Sequence, residues 1–319
     1  MAAPSAVLVN APVATRTSAQ RTRHKADLRA DIAGLSPALL LYGVFIIAPV
    51  LFAVFLSFTT WNVVSSIHWA GFSNWSHFFS DPVAHHALLL TLELAVLSWA
   101  VQTPLAMALG IFVAGTQRYR SVYAAIYLIP LLMSTAGIAL MWQGVLEPTF
   151  GGLASLGRSL HLAVLNQNWL SSTSLTFYVI VVLIAWQFIP FHTLIYQAGR
   201  RAIPADLYDA AKVDGANTRQ AFIHITLPQL RYTIVTSSTL ILVGSLTYFD
   251  IIYILTPGGA GDVTRVLALD MYDVGWNQQL FGYASVLAVV LGAIGISVAI
   301  GLVRLTGFGS MRSTQEAIS

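Results

Sequence analysis

The segment Tyr208–Pro228 reads YDAAKVDGANTRQAFIHITLP and is a polar, helix-forming stretch between two long apolar runs. Pro204 suits the first turn of a helix that begins just before it. Asp206 and Asp209 place negative charge near that helix N-terminus, where the macrodipole favours it. Gly215 costs up to about 1 kcal/mol relative to Ala inside a helix, so it marks a bend. The first half of the segment therefore predicts a short helix that ends at a bend.

The second half of the segment predicts another helix, with one apolar face. Phe222, Ile225 and Leu227 form that face, and we expect Pro228 to end the helix before the next apolar run. An ordinary amphipathic helix at a membrane surface is the alternative interpretation.

The composition indicates a membrane protein. Apolar residues make up 56% of the 319 residues and charged residues only 9%, whereas soluble domains carry about 25% charged residues. A helix needs about 20 apolar residues to cross a bilayer, and helices satisfy their own backbone groups in lipid. The prediction is an all-α, polytopic protein with six transmembrane helices, over residues 35–58, 87–115, 122–145, 175–197, 232–254 and 281–305.

Two carboxylates interrupt the predicted spans. Glu93 lies in the second span and Asp250 lies late in the fifth. A carboxylate near hydrocarbon costs several kcal/mol unless it faces protein or water. We therefore expect both side chains to point inward or to lie near a membrane interface.

The positive charges predict the orientation, because Lys and Arg in short loops favour the cytoplasm. If both termini are cytoplasmic, every Lys and Arg except Arg158 and Arg265 lies on the cytoplasmic side. The same orientation places the loop 198–231 in the cytoplasm. Residues 1–30 are polar and basic, without a signal-peptide pattern, and are predicted to be a disordered cytoplasmic tail. Residues 31–319 then form the transmembrane domain.

The aromatic outer segment 60–86 has two interpretations. Its Trp and Phe side chains, Trp61 among them, suit an interface belt, and the same surface could receive a soluble partner. His77, Asp81, His85 and His86 lack metal-ligand spacing on a rigid element, so no metal site is predicted.

Small residues recur at four-residue spacing in two spans. Ala106, Gly110 and Ala114 in the second span form a stripe that would let a neighbouring helix approach closely. A second stripe, in the sixth span, contains Ala284, Ala288 and Gly292.

The Tyr208–Pro228 segment resembles the cytoplasmic loop of ATP-binding-cassette (ABC) importer permeases, which starts with Glu-Ala-Ala and continues with Asp-Gly-Ala, Phe, Ile and Leu-Pro. The resemblance implies a type I importer permease fold and a coupling helix that docks on a separate ATPase subunit. The residues expected to couple to the ATPase are Asp209, Ala210, Ala211, Asp214, Gly215, Ala216, Phe222, Leu227 and Pro228.

The match has two departures. The leading Glu is Asp209, which is one methylene shorter, and a Pro common soon after the Leu-Pro is Tyr232 here. Both changes bear on the strength of docking on the ATPase.

A second resemblance narrows the branch of the family. The run 249–276, followed by Gly282-Tyr283-Ala284, is similar to the region after the fifth span in carbohydrate importers of the maltose and glycerol-phosphate permease branch. It implies a carbohydrate substrate, such as a mono- or disaccharide, that a solute-binding protein delivers. Amino-acid and phosphate permeases share the loop but usually lack this run.

A sugar path needs aromatic faces and hydrogen-bonding groups where water can enter. Side chains of this kind lie in the third, fourth and fifth spans, and each of them could instead serve packing or anchoring. The candidates are Trp142, Gln143, Trp186, Gln187, Tyr248, Asp250 and Tyr253. We expect Asp250 either to bond a sugar hydroxyl or to support the loop that begins at Thr256.

The sequence does not predict an enzyme. Its two lysines, Lys25 and Lys212, are not in a phosphate-binding loop, so ATP and Mg²⁺ are expected on two partner ATPase subunits and no cofactor on this chain. The other expected partners are a second, similar permease subunit in a heterodimer, a solute-binding protein and membrane lipid, with no nucleic acid. An ion-coupled secondary transporter that uses Glu93 or Asp250 is the alternative, but it has no use for the coupling loop.

Overall fold

A computed structural model describes residues 34–115 and 117–305, which are mainly helical. The predicted tail 1–30 lies outside this range. A two-residue antiparallel hairpin, β1 (Thr59–Thr60) and β2 (His68–Trp69), is the exception to the all-α prediction among the described residues. The α-helices in chain order are α1 (Gly34–Leu56), α2 (Ser73–Ser80), α3 (Pro82–Val113), α4 (Arg118–Tyr127), α5 (Ile129–Leu132), α6 (Thr135–Leu146), α7 (Gly152–Leu160), α8 (Thr176–Arg201), α9 (Ala205–Val213), α10 (Thr218–Ala221), α11 (Leu227–Gln229), α12 (Arg231–Ser245), α13 (Asp250–Leu255), α14 (Leu267–Tyr272) and α15 (Phe281–Leu305).

The chain divides into two compact units, Met1–Phe52 and Ala53–Ser319. In the first unit, the described residues 34–52 are continuously helical and expose apolar side chains such as Leu40 and Phe45. The second unit contains the hairpin and all the helices from α2 onward.

Four helices in the described part of the chain are long and apolar enough to cross a membrane: α1, α3, α8 and α15. The third predicted span, 122–145, is instead divided among α4, α5 and α6. Met133 is extended, and the Ser134 hydroxyl accepts a hydrogen bond from the Gly137 N–H and starts α6 anew. Pro130 adds to the interruption because it cannot donate a backbone hydrogen bond.

The fifth predicted span, 232–254, is also divided, into α12 and α13. The Thr247 hydroxyl donates to the Gly244 carbonyl at 2.9 Å and so competes with the helical backbone hydrogen bonds. Residues 246–249 separate the two helices.

Most of the core of the second unit lies where α3, α6, α8 and α13 meet. Leu94, Ile138, Ile184 and Ile251 are fully buried there. A second cluster joins α2, α3, α14 and α15, around Leu267 and Leu287.

The most extensive helix pair is α3 with α8, and one of the predicted stripes contributes to it. A Cβ on Gly110 would lie 2.5 Å from Tyr196 Cβ and 2.9 Å from the Thr193 carbonyl oxygen. The absence of a side chain at Gly110 therefore permits the close approach of the two helices. In the second stripe, a Cβ on Gly292 would meet no atom within 4 Å.

Candidate functional site: the coupling loop and the central cavity

The predicted helix and bend are present in the loop. The first helix, α9, begins directly after Pro204, which precedes the first helical turn instead of lying in it. Gly215 has a φ of 76°, and the Ala216 N–H donates to the Ala211 carbonyl at 2.8 Å. This six-to-one hydrogen bond with a left-handed glycine is a Schellman motif. It ends α9 and turns the chain.

The second helix of the loop begins at a reciprocal cap. The Asn217 side chain accepts from the Gln220 N–H, and the Gln220 side chain accepts from the Asn217 N–H, at 2.9 and 2.8 Å. After α10 the chain continues through a π-helical turn, Phe222–Thr226, into α11.

The prediction that Pro228 ends the second helix was wrong, because α11 runs through it to Gln229. In the π-helical turn the Leu227 N–H bonds to the Phe222 carbonyl, five residues earlier. This wider turn relieves the clash that a proline ring makes with the carbonyl four residues before it. Leu230, two residues later, separates α11 from α12.

Tyr208 ties the loop to its surroundings. Its hydroxyl lies 2.8 Å from Thr226 Oγ1, which is buried, and its ring centre lies 4.1 Å from the Arg200 guanidinium carbon. These contacts connect α9 to the end of α8 and to the π-helical turn. The sequence pattern did not identify Arg200 or Thr226, because neither contact follows from the spacing of residues along a helix.

The predicted coupling residues divide between two surfaces. Ala211, Ala216 and Phe222 line a cavity of about 300 Å³ beneath the loop, together with Arg200, Tyr208 and Thr226. The residues exposed to solvent are Asp209, Ala210, Asp214, Gly215, Leu227 and Pro228. Asp209 pairs with Lys212 at 2.8 Å on that surface.

The exposed surface of the loop includes an apolar side chain that sequence reasoning did not single out. Val213, the last residue of α9, is 88% exposed. An apolar side chain beside the polar Asp209 and Asp214 is suited to contact with another protein chain.

A central cavity of about 410 Å³ lies where both interrupted spans come together. Leu131 and Thr135 flank the interruption between α5 and α6, and Gly244 and residues 247–251 lie at or beside the one between α12 and α13. One wall is α8, with Phe188, Phe191 and His192. Irregular backbone at membrane depth is tolerated where it is buried in protein or lines a water-filled cavity.

The predicted path residues do not form one site. Tyr248 and Asp250 line the central cavity, and Gln187 donates a 3.0 Å hydrogen bond to the hydroxyl of Thr135 in its wall. Trp142 and Trp186 pack edge to face with ring centres 5.5 Å apart. Gln143 lines a separate cavity with Glu147 and Thr256, and Tyr253 stacks on Phe249 with ring centres 5.2 Å apart.

Sequence reasoning missed His192 in the cavity wall. Its side chain is 3% exposed, and Nδ1 lies 3.0 Å from the Ser237 hydroxyl. A signal was available, since an ionisable residue inside an apolar span is a candidate functional residue, and His192 lies within the fourth predicted span.

The loop after α13 is held by threonines. The Thr264 N–H donates to the Gly258 carbonyl at 3.0 Å, and the Thr264 hydroxyl donates to the Thr256 carbonyl at 3.2 Å.

Asp250 is exposed at the start of α13 and lines the central cavity. Glu93 is exposed on α3.

An ionic cluster lies between this loop and α15. Arg265 bonds Asp262 at 3.1 Å and Asp270 at 3.3 Å, and its Nη1 lies 3.6 Å from Asp273. The Asp270 side chain is 2% exposed. Burial raises the pKa of Asp270 to about 6, and the neighbouring carboxylates Asp81 and Asp273 add to this effect while Arg265 opposes it.

Comparisons with known proteins agree with this architecture. The family model described as "Binding-protein-dependent transport system inner membrane component" matches residues 32–306. The chain belongs to this family of inner-membrane transport components, which are transport permease subunits.

Proteins with similar sequences include two whose names describe them as permeases. A probable ABC transporter permease protein of Pyrococcus horikoshii is 32% identical over 270 residues, which cover 84% of this chain and 92% of the relative. The trehalose/maltose transport system permease protein of Thermococcus litoralis is 30% identical over 273 residues, 85% of this chain and 92% of the relative.

A solved structure has the same fold. It is the crystal structure of a bacterial alginate ABC transporter in complex with alginate pentasaccharide-bound periplasmic protein. One of its chains matches with a TM-score of 0.78 and 20% identity, over 89% of this chain and 96% of that chain. The fold is that of a type I ABC importer permease.

Proposed function

We propose that this chain forms the sugar path of an ATP-driven importer, receives a carbohydrate from a solute-binding protein and releases it into the cytoplasm by alternating access. The observation that carries the proposal is the connection between the loop and the central cavity. α8 and α12 both contribute to the cavity, and the loop is the segment of chain between them.

The geometry provides a route for mechanical coupling. His192 in the cavity wall lies nine residues before Arg201, the last residue of α8, which corresponds to about 14 Å along the helix. A displacement of the loop therefore moves the ends of two cavity walls together. The Tyr208 contacts with Arg200 and Thr226 stiffen this connection.

The cavity lining suits a polyhydroxylated substrate. Phe188 and Tyr248 stack with ring centres 5.3 Å apart, and His192, Thr135, Thr247 and Asp250 supply hydrogen-bonding groups. Aromatic surfaces with a few placed polar groups are typical of small-molecule sites. The trehalose/maltose permease among the relatives supports a sugar as the substrate.

The partners follow from the same proposal. The exposed coupling residues and Val213 would dock on an ATPase subunit that carries ATP and Mg²⁺, and a second, similar permease would complete the path. The charge distribution supports cytoplasmic termini and a cytoplasmic loop. The solved complex with a periplasmic protein supports delivery by a solute-binding protein.

Reconstitution into proteoliposomes tests the proposal. The complex is expected to take up maltose or trehalose from its binding protein only when ATP is present on the side of the loop. Tyr248→Ala, in the cavity, should reduce uptake while the ATPase still co-purifies. Tyr178→Ala, at an exposed position on the cavity-wall helix α8, is the control and should leave uptake unchanged. Uptake driven by an ion gradient without ATP would instead support the ion-coupled alternative.

A further inference from the structure

A second cleft lies at the end of α3 opposite to the coupling loop. It has a volume of about 390 Å³ and is formed by the β1–β2 hairpin, α2 and the start of α15. We call it the hairpin cleft. Its lining includes Thr59, Trp61, Asn74, His77, Gln279 and Tyr283. None of these residues lines the central cavity.

The lining is polar but contains no Asp, Glu, Lys or Arg among the described residues. It presents side-chain amides, hydroxyls and imidazoles, which can donate and accept hydrogen bonds, beside the rings of Trp61 and Tyr283. Asp81, outside the lining, accepts a 2.6 Å hydrogen bond from the Tyr283 hydroxyl and lies 4.0 Å from His77 Nε2. An ionic ligand would find no full countercharge in the lining, whereas a neutral polyhydroxylated ligand would find partners for both its hydroxyls and its C–H faces.

The floor of the hairpin cleft is held by backbone contacts. The Phe281 N–H donates to the Trp61 carbonyl at 3.1 Å, and a Cβ on Gly282 would overlap the Thr59 carbonyl oxygen. The Asn74 amide donates to the carbonyls of Ser57 and Thr59 at 3.1 and 2.8 Å. The cleft is therefore preorganised, which reduces the cost of ordering its side chains on binding.

Two strained residues flank the hairpin cleft. Val63, next to Asn62, has a φ of 69°, and Gln279, in the lining, has a φ of 59°. Such a backbone conformation is unfavourable and is concentrated at functional sites such as ligand-binding sites. For a β-branched residue such as Val63 it is a clear outlier.

We propose that the hairpin cleft is a binding site for one or two rings of a neutral carbohydrate, separate from the central cavity. The volume is at the lower end of the range for small-molecule sites, about 300–1,000 Å³. The choice of a sugar over another neutral polyol rests on the proposed function. The site would hold the sugar on the face where a solute-binding protein releases it.

The first test measures maltose binding to the purified transporter complex in nanodiscs, without the solute-binding protein, by saturation-transfer difference NMR. Gln279→Gly removes the amide and also relieves the backbone strain, so it should keep the fold and weaken maltose binding by roughly three- to tenfold. His161→Gly is the matched control, because His161 is also left-handed, with a φ of 55°, and lies outside the cleft. It should bind maltose as the wild type does.

A second pair of variants locates the bound sugar. Trp61→Phe should weaken maltose binding, whereas Tyr248→Ala in the central cavity should leave most of the signal. No saturable binding to the wild type, equal binding by Gln279→Gly, or loss of the signal only in Tyr248→Ala would overturn the inference. So would a lower affinity of Gln279→Gly for the solute-binding protein with unchanged maltose binding, since the cleft would then be a protein contact.

ATP-driven uptake by the same complex, reconstituted into proteoliposomes with its solute-binding protein, separates this inference from the proposed function. Wild-type uptake of maltose together with absent binding in the hairpin cleft would overturn the cleft alone. Sugar binding in the cleft without ATP-driven uptake would count against the proposed function.

Discussion

Gly215 is the residue on which the shape of the coupling loop most depends. A Cβ there would meet no atom within 4 Å, yet the φ of 76° belongs to the left-handed region. The requirement for glycine is therefore one of backbone conformation and not of space. A side chain at this position costs roughly 1–2 kcal/mol, and less for Asn, which tolerates the left-handed conformation.

We expect Gly215→Val to insert into the membrane normally but to lose most sugar-stimulated ATP hydrolysis, because the end of α9 can no longer turn into α10. Gly215→Asn is the control and should retain most of it. The measurement is the ATPase rate of the reconstituted complex with and without the loaded binding protein. Equal rates in the valine variant and the wild type would show that the bend does not transmit motion.

Asp270 is a residue whose ionisation should oppose folding. Its pKa of about 6 lies above the ordinary value, so between about pH 4 and pH 6 the unfolded chain gives up this proton before the folded chain does. Stability from this group is full below about pH 4 and falls as the pH rises towards 6. The free energy of unfolding falls by roughly 2–3 kcal/mol over this pH range.

Asp270→Asn should remove this fall and keep an acceptor for Arg265. The unfolding temperature of the detergent-solubilised variant, relative to the wild type, should therefore rise more at pH 7 than at pH 4. Asp273→Asn should instead lower the unfolding temperature, and more at pH 7 than at pH 4, because the hydrogen bond from Asn277 lowers the pKa of Asp273. Parallel pH profiles for the wild type and Asp270→Asn would contradict the assignment.

Among the helices, α3 and α8 depend on each other most closely. Their approach requires Gly110, where any Cβ would collide with Tyr196 and Thr193. Overpacking at such a contact typically costs about 1–3 kcal/mol. Gly292 on α15 is also helical, but its surroundings are open.

Gly110→Ala should thus lower the thermal unfolding midpoint, whereas Gly292→Ala should leave it unchanged or raise it, since Ala favours a helix over Gly by up to about 1 kcal/mol. Tryptophan fluorescence of the solubilised protein during heating gives both midpoints. A midpoint for Gly110→Ala at or above that of Gly292→Ala would mean that the two helices can separate without cost.

For the molecule as a whole, every functional proposal depends on the orientation of the chain in the membrane. Because the chain contains no cysteine, single cysteines report orientation without interference. Val213→Cys and Val64→Cys are matched, since these side chains are 88% and 87% exposed. We expect a membrane-impermeant maleimide to label the first only from the cytoplasm and the second only from outside. Reversed labelling would invalidate the position of the loop.

The sequence predicted the parts of the structure that depend on local spacing. Apolar runs of sufficient length predicted the spans, and Gly215 predicted the bend, because a helix interior disfavours glycine. Contacts between distant residues could not be derived in this way. Trp142 and Trp186 are similar in character to Tyr248, but they pack against each other and do not line the central cavity.

The interruptions within two spans were missed for a related reason. Hydropathy averages over about 19 residues, whereas the break near Met133 and Ser134 depends on one extended residue and one hydroxyl cap. The wrong expectation at Pro228 has the same origin, because a π-helical turn cannot be recognised from the pattern of apolar residues.

The length of α3 has a consequence for the height of the outer surface. Its 32 residues correspond to about 48 Å, but the hydrocarbon core is only about 30 Å thick. If the hydrocarbon core begins at the basic end of α3, near Val113, the first twelve residues of α3 extend roughly 18 Å beyond the core. Glu93 then lies at the edge of the core. The headgroup layer accounts for about 5–8 Å of this distance. The outer end of α3 and the hairpin cleft beside it would then lie at or beyond the headgroup layer, within reach of a soluble protein that does not enter the hydrocarbon core.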